Sequence, residues 1–588
     1  METQTTRKKN PPPLAAALPA AALLAAVFSL PAPGVPATYY VSPSGADAGP
    51  GTVTEPWRTI GKAATTLAPG DTVLIRAGTY AEQVQVAVSG MAGAEVTFAA
   101  YPGESPVLDG TGVVVSTGDL AGLFEVVQRS WVRVRGLRVQ HAGPGELTAG
   151  FLVEDSSHVT VESCSTFDTV SSGIGVWGGS DVTLAGNDVA FACTGPMQES
   201  ISVGGTTGFE LRGNVVRDGP PMPAGKEGIC IKDGASTGMV HHNQVSGLHE
   251  KVGLYFDAWD KHTFDIDVHG NRIWAIEGAD GIALASEMGG LLENIRVHDN
   301  VSFDNGFYGI SVGVNGTSPT HPMSGIVIVN NTAVGNGTTG WGGGITVYNP
   351  GASNVIVRNN VVNANAAFQI AVSADVPAGA VTVDHNLVHP FLGTEPDEIR
   401  GTDYVEADPL FVSAAAHDYH LLAASPAIDH GNRALAPTAD ADGLLRPQGA
   451  GVDLGAYECP APLRLHVLAP CRIVDTRDLP EGPVAGPAIQ PAGSADRAFV
   501  LTGGPCAVPS DARALSVNVT VTQPQAAGTV LVYPSGLELP TTGTVTFAAG
   551  RTRANNAVLG LSAAGEVQVH NTSGGTVHLI VDVNGYFR

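Results

Sequence analysis

A run of alternating apolar residues, closed by Asn and followed by another apolar residue, recurs over residues 132–386. The Asn positions are Asn187, Asn214, Asn243, Asn271, Asn300, Asn331, Asn360 and Asn386, spaced by 27, 29, 28, 29, 31, 29 and 26 residues. Leu137 and Cys164 take the same slot in two earlier, less regular units. Between the Asn runs lies a second phrase, Gly-apolar-x-apolar. It is seen in Gly173-Ile174-Gly175-Val176, Gly228-Ile229-Cys230-Ile231, Gly253-Leu254-Tyr255-Phe256, Gly281-Ile282-Ala283-Leu284, Gly309-Ile310-Ser311-Val312 and Gly344-Ile345-Thr346-Val347. Alternation over about four to six residues specifies strands, and a period of roughly 20–50 residues specifies a solenoid. No unit of this size buries its own apolar face, so units must stack into a continuous core. Two or three short strands per turn, with no helical periodicity between them, describe a parallel β-helix. Its coils lie about 4.8 Å apart and its equivalent residues form columns. A column of buried turn Asn is then a structural ladder, each amide bonding the backbone and amides of adjacent coils.

Composition agrees with a turn-rich all-β chain: 74 of 588 residues are Gly and 43% are apolar, which excludes a disordered chain. Charged residues make up 14% and the net charge is −25 with no basic tract, which argues against nucleic acid and anionic membranes as partners. Arg7, Lys8 and Lys9 precede an Ala/Leu-rich stretch over 14–30 and the small-residue site Val35-Pro36-Ala37. Residues 1–37 therefore read as a secretory signal cleaved after Ala37, and no later segment is apolar enough to cross a membrane. Export permits disulfides, and Cys471 and Cys506 share one late module and are the expected pair. Cys164, Cys193, Cys230 and Cys459 are scattered, without zinc-site spacing. No phosphate loop, cofactor fingerprint or nucleophilic Ser-His-Asp set is present, so no organic cofactor is expected.

Tyr39-Tyr40-Val41-Ser42-Pro43-Ser44-Gly45, Pro56-Trp57-Arg58-Thr59-Ile60, Pro69-Gly70-Asp71-Thr72-Val73 and Gly78-Thr79-Tyr80 resemble the opening of bacterial secreted right-handed parallel β-helix proteins of the pectate-lyase-like superfamily. Ala100-Tyr101-Pro102-Gly103-Glu104 and Val107-Leu108-Asp109-Gly110 continue the resemblance, which covers residues 38–404. It implies a short helix around 57–67 capping the open end of the solenoid, in agreement with the amphipathic spacing there. For chemistry it is only suggestive, because the superfamily includes lyases, hydrolases, epimerases and non-enzymatic surface proteins. Residues 405–458, with Asp408-Pro409-Leu410-Phe411, Ser425-Pro426-Ala427-Ile428-Asp429 and Asp453-Leu454-Gly455-Ala456-Tyr457-Glu458, resemble a segment that closes bacterial β-helices before a surface-attachment region. After a linker at 459–462, alternating runs at 514–522, 529–533, 566–570 and 577–583 predict a β-sandwich-like module over 463–588. Attachment or glycan binding is its expected role. A monomer is expected, with this module as the point of cell-surface attachment.

The columns locate the chemistry. The fourth residue after the Gly position, just past the second phrase, should point outward; reading coil by coil it is Trp177, Gly204, Lys232, Asp257, Ala285, Gly313 and Tyr348. Lys232 and Asp257 should stack one coil apart. The residue before the Gly slot gives Glu199, Glu227, Val252 and Asp280, and just beyond the strand come Asp233, Trp259, Asp260 and Glu287. Of only 7 lysines, Lys226, Lys232, Lys251 and Lys261 fall within 36 residues; elsewhere the chain uses Arg. A compact ammonium that can lose its proton is what Arg cannot supply.

Three readings follow, each with a polysaccharide as partner. The first is a lyase acting on a uronic-acid polymer, with Lys232 as a base of lowered pKa, Lys226 in reserve, and Ca²⁺ held by Asp233, Asp257 and Asp260. The second is a glycoside hydrolase using Asp257 and Glu287, with backbones about 8 Å apart, or Glu199 and Glu227. The third is a non-catalytic surface protein binding glycans through Trp177, Tyr255, Trp259, Trp341 and Tyr348. Glu199, Lys226, Tyr255, Trp259, Lys261 and Trp177 are the expected substrate contacts. His241, His242, His262, His269 and His298 read as turn-proximal and solvated, with His298 at the core edge.

Overall fold

A computed structural model describes residues 36–115, 120–477 and 485–588. The expected signal, apart from its last two positions, lies outside the described residues. Two compact units meet in sequence between Cys459 and Pro460. Among the described residues, no helix is long and apolar enough to cross a membrane.

The first unit is the all-β parallel solenoid that the repeat predicts, built from three parallel sheets of 15, 11 and 12 strands. Each strand pairs with its counterparts one coil before and one coil after. Ile229–Lys232, for example, lies between Ile201–Gly204 and Leu254–Asp257. The pleat sends alternate residues inward, so Ile201, Val203, Ile229, Ile231, Leu254, Phe256, Ile282 and Leu284 form continuous buried columns. At the N-terminal end the helix Ile60–Ala64 is N-capped by Thr59 and buries Ile60, Ala63 and Ala64 against the first coils.

The Asn ladder is complete from Asn187 to Asn386. From Asn187 to Asn360, each Asn backbone N–H and each Nδ2 donates to the Oδ1 of the Asn one coil on, at 2.8–3.0 Å. Each Nδ2 also donates to a strand carbonyl one coil back. The turn geometry has its own requirement: every residue preceding a ladder Asn has positive φ, namely Gly186, Gly213, His242, Gly270, Asp299, Asn330, Asn359 and His385. These are the residue types that tolerate the left-handed region best. A second ladder, Asn305–Asn336–Asn365–Gln369, runs through the last coils.

Residues 405–458 belong to the same unit and cover a flank of the solenoid. Tyr419, Ala456 and Tyr457 pack on Val301, Phe303 and Val334, while Leu421, Ala427 and Leu454 pack on Val361 and Leu387. Arg446, 1% exposed, ties the segment down through Asp299 at 2.9 Å and Glu458 at 2.8 Å.

The second unit holds two four-stranded antiparallel sheets. One contains Leu465–Asp475, His578–Phe587, Ala514–Thr522 and Arg553–Gly560; the other contains Arg497–Val500, Glu566–Asn571, Gly528–Pro534 and Val545–Phe547. Phe499, Val517, Val519, Val532, Val569 and Val581 share one core between them, and Cys471 is disulfide-bonded to Cys506.

Asn271→Ala removes the acceptor of the Asn243 N–H and Nδ2 and the donor to Val240 O and Asn300 Oδ1, all buried. Each buried polar group left unpaired costs about 1–3 kcal/mol, so a loss of roughly 3 kcal/mol or more is expected. Urea denaturation measures it; a midpoint equal to that of the unmodified protein would show that the ladder contributes nothing.

Candidate active site

The outer face of the 11-stranded sheet carries a cavity of about 510 Å³. Strand register places Trp177, Gly204, Lys232, Asp257 and Ala285 in one column, so Lys232 and Asp257 occupy adjacent coils as the sequence predicts. Trp177, Lys232 and Asp257 line the cavity with Cys230 and Tyr255 from the neighbouring outward column. Its walls come from residues 196–199, Lys226, Glu227, Lys251, Asp233, Trp259 and Glu287. Residues scattered over more than a hundred positions therefore meet because equivalent positions of successive coils are hydrogen-bonded neighbours.

Lys232 is the centre of the polar network. Its Nζ donates to Glu199 Oε1 at 2.7 Å and lies 5.4 Å from the Trp177 ring centroid. Ser202 Oγ donates to the other Glu199 oxygen at 2.7 Å. Burial acts to lower the Lys232 pKa, but the surrounding negative groups outweigh it and raise the pKa above its ordinary value. The Cys230 thiol is kept neutral by its own burial, so the direction rests on Glu199 and, beyond it, Asp233. This corrects the expectation of a Lys232 base with lowered pKa: a buried ammonium with an intimate carboxylate partner holds its proton. Lys251 pairs more loosely with Glu227, at 3.8 Å. Among the described residues, Lys226 has no carboxylate partner within ion-pair distance, yet it lines the same cavity.

The acids are shifted upward as well, which for a carboxyl group disfavours the charged form. Burial, reinforced by the charge of Glu199, raises the Glu227 pKa. Burial likewise raises that of Asp233 despite Lys232 and Lys261 nearby. Asp257 is 1% exposed, and burial pushes it up to about 6, although its Oδ1 accepts the Trp259 N–H at 2.9 Å and the Glu287 N–H at 3.0 Å. Glu287 Oε1 accepts the Tyr255 hydroxyl, which also receives Asn315 Nδ2 at 3.3 Å. Burial raises the Tyr255 phenol well above its usual range.

Several expected placements change. Asp257 is not on an open outer surface; the flanking loops bury it, as they bury Ala285. Tyr255, 6% exposed, is no stacking platform, whereas Trp259 at 41% is open to solvent. Asp260 and Lys261 are exposed and lie outside the cavity lining. The oxygens of Asp233, Asp257 and Asp260 do not gather into a ligand-sized group among the described residues, so the expected calcium trio is not preformed. The charge of the lining nonetheless suits a hard divalent cation. Glu199, Glu227, Asp233, Asp257 and Glu287 outnumber Lys226, Lys232 and Lys251 by two, and burial raises three of these acids. Sequence reasoning did not count Cys230, Ser202 or Lys251 among the site residues. The middle x of Gly-apolar-x-apolar points outward too, and that alternation was the available signal for the first two.

Asp257 supplies a test of this burial. Its folded pKa, about 6, exceeds the ordinary 3.8, so the fold binds its proton more tightly than the unfolded chain. Stability therefore falls as pH rises from about 4 to 6, by up to roughly 3 kcal/mol. Asp257→Asn keeps an oxygen for both amides and removes the charge. We expect the variant to have the higher urea midpoint above pH 6 and the difference to vanish below about pH 4.

Comparison with known proteins matches two family models: "Pel9A-like, right handed beta helix region" over residues 39–219 and "Right handed beta helix region" over residues 149–321. An uncharacterized protein of Bacillus subtilis, YwoF, is 28% identical over 440 residues, covering 66% of this chain and 91% of that protein. Pectate lyase PEL9 of Emericella nidulans is 25% identical over 262 residues, covering 42% of this chain and 64% of that enzyme. The crystal structure of pectate lyase Pel9A superposes with a TM-score of 0.42 at 18% identity, covering 72% of this chain and 97% of that one. With the parallel solenoid described above, the family models identify a right-handed β-helix region over residues 39–321, similar to that of Pel9A over residues 39–219.

Proposed function

We propose that this chain is a secreted polysaccharide lyase that eliminates across glycosidic bonds of a uronic-acid polymer. The observation that carries this reading is the gathering of Lys226, Lys232 and Lys251, three of only 7 lysines, around one cavity. A uronate carboxylate needs fixed positive charge beside it, and elimination needs a base for the proton at C5. The match to the Pel9A-like family model and the 25% identity to a pectate lyase point the same way.

Lys226, the one of the three cavity lysines without a carboxylate at ion-pair distance among the described residues, is the base. It takes the C5 proton, the electron pair forms the C4–C5 double bond, and the glycosidic oxygen at C4 leaves. Glu227, whose pKa burial raises, supplies the proton that the leaving oxygen takes up. Lys232 and Lys251 face the substrate carboxylate, and Trp177 and Trp259 offer rings to the sugar faces. Calcium would be held by Asp233 and Asp257 with Glu199 or Glu287 only after their side chains rearrange, since neither set gathers its oxygens among the described residues; there it would neutralise the substrate carboxylate and the charge developing on it. The hydrolase reading has weaker support. Asp257 is buried and fixed by two amides, Glu287 is bound to Tyr255, and Glu199, the partner the Glu227 pair needs, is held by Lys232 and Ser202.

The test is incubation with polygalacturonate, alginate and glycosaminoglycans, with and without EDTA, reading the ultraviolet absorbance of the unsaturated product. Activity is expected on one of these polymers, to be lost in EDTA, and to fall by about 10²–10⁴ in Lys226→Ala. Reducing ends released without that absorbance would overturn the lyase reading in favour of hydrolysis. Glycan binding without any cleavage would leave a binding protein.

A further inference from the structure

The 15-stranded sheet carries on its outer face a histidine column that the lyase chemistry does not use. His241, His269 and His298 are register partners on three successive coils, and their rings stack at 4.8 and 4.9 Å between centroids. His242 joins from the turn that follows His241. Its φ of 53° turns the chain there, and its ring lies over Gly270, where an added Cβ would sit 3.1 Å from Nε2. The Nδ1 atoms of His241 and His242 come to 2.9 Å, and ligand atoms of His241, His242 and His269 all lie within 4.8 Å of one another.

We propose that His241, His242 and His269 form a binding site for a first-row divalent transition metal of the zinc class. Three imidazoles are the donor set such ions take, with a fourth position left to water. In a tetrahedral zinc site two nitrogens stand about 3.3 Å apart, so the His241–His242 pair needs to open only slightly.

The surroundings orient two of the rings for ligation. Glu210 Oε1 lies 3.1 Å from His241 Nε2 and Asp267 Oδ1 lies 3.1 Å from His269 Nδ1. A carboxylate on one ring nitrogen holds the proton there and leaves the other nitrogen's lone pair free for a metal. For His241 the free nitrogen is Nδ1, the atom that faces His242. His298 differs: both of its nitrogens contact carboxylates, Asp267 at 2.7 Å and Asp299 at 2.7 Å, so it buttresses Asp267 instead of ligating. His242 also lines a separate cavity of about 180 Å³ with Ala441, Asp442 and Tyr457 of the covering segment, which leaves room for water beside it. A metal here would join two coils of the solenoid at one point beneath that segment.

The full-length chain, stripped with chelator and dialysed, is titrated with ZnCl₂ by calorimetry and with Co²⁺ by visible absorption. One saturable site per chain is expected, with a Co²⁺ spectrum of imidazole coordination and a melting temperature that rises with zinc concentration. His242→Asn keeps a residue tolerant of positive φ, and His269→Gln keeps a polar side chain in the column. Each should weaken binding by at least about tenfold, and Glu210→Gln by about 10–100-fold through the ring it orients. His249→Ala, a partly exposed histidine paired with Glu277 elsewhere, should leave binding unchanged. Circular dichroism confirms that each variant is folded. No saturable binding, or binding retained in both His242→Asn and His269→Gln, would overturn the proposal.

Discussion

Everything distinctive in this molecule depends on the hydrogen bonding between one coil and the next. The parallel ladders fix the distance between coils, but a strand pair alone tolerates slippage by two residues without exposing its apolar side chains. The Asn ladder removes that freedom. From Asn214 onward, each Asn has one slot in which its Oδ1 receives two N–H groups from one neighbour while its own Nδ2 reaches a carbonyl in the strand before it. A slipped coil would bury those groups unpaired. Register is thereby locked over eight consecutive rungs, and the columns on the outer faces inherit it.

That inheritance allows chemistry to be assembled from distant residues. Glu199 and Lys232 are 33 positions apart, yet they form an ion pair because successive coils bring the residue before one Gly slot within side-chain reach of the residue past the next phrase. The flanking loops then turn an exposed face into a cavity. Burying five carboxylates with three ammoniums is unfavourable by itself, and it shows in the raised pKa values of Glu227, Asp233 and Asp257. Sites with unmet charge are where a charged ligand gains most, since binding relieves a cost the free protein already carries.

The columns were legible in the sequence because their period is strict; the loops were not, because their lengths vary and nothing in their composition sets where they fold back. The repeat therefore predicted which residues share a face, and ten of the fourteen candidate catalytic, metal and glycan-contact residues line one cavity, Asp260, Lys261, Trp341 and Tyr348 being outside it. It failed where a loop decides the outcome. Asp257 was placed in the open and is buried, while Asp260 and Lys261 lie on a turn that leads away. The Lys232 pKa went wrong for a related reason. Glu199 sits in the column before the Gly slot, and only the side-chain path across the coil shows that it reaches Nζ. The histidine column was readable and was passed over: His241, His269 and His298 each stand two residues before a ladder Asn, which makes them register partners by the same rule.

The division of labour between the two cations supports the same picture. Away from the cavity the solenoid uses Arg as a clamp: Arg76 holds Glu104, Arg217 holds Asp188 and Arg358 holds Asp384, each with two nitrogens on one carboxylate. Such forks hold neighbouring coils together and have no need to exchange partners. A fork in the cavity would hold Glu199 or Glu227 in the same rigid way and leave little cationic capacity for an incoming carboxylate. Lysine binds as a point charge on a flexible stem, so in the proposed lyase reaction the same ammonium leaves a carboxylate of the protein to meet one on the substrate. The scarcity of lysine in the rest of the chain follows from this difference: its stem entropy is a disadvantage where a bridge must be permanent, and an advantage where it must be exchanged.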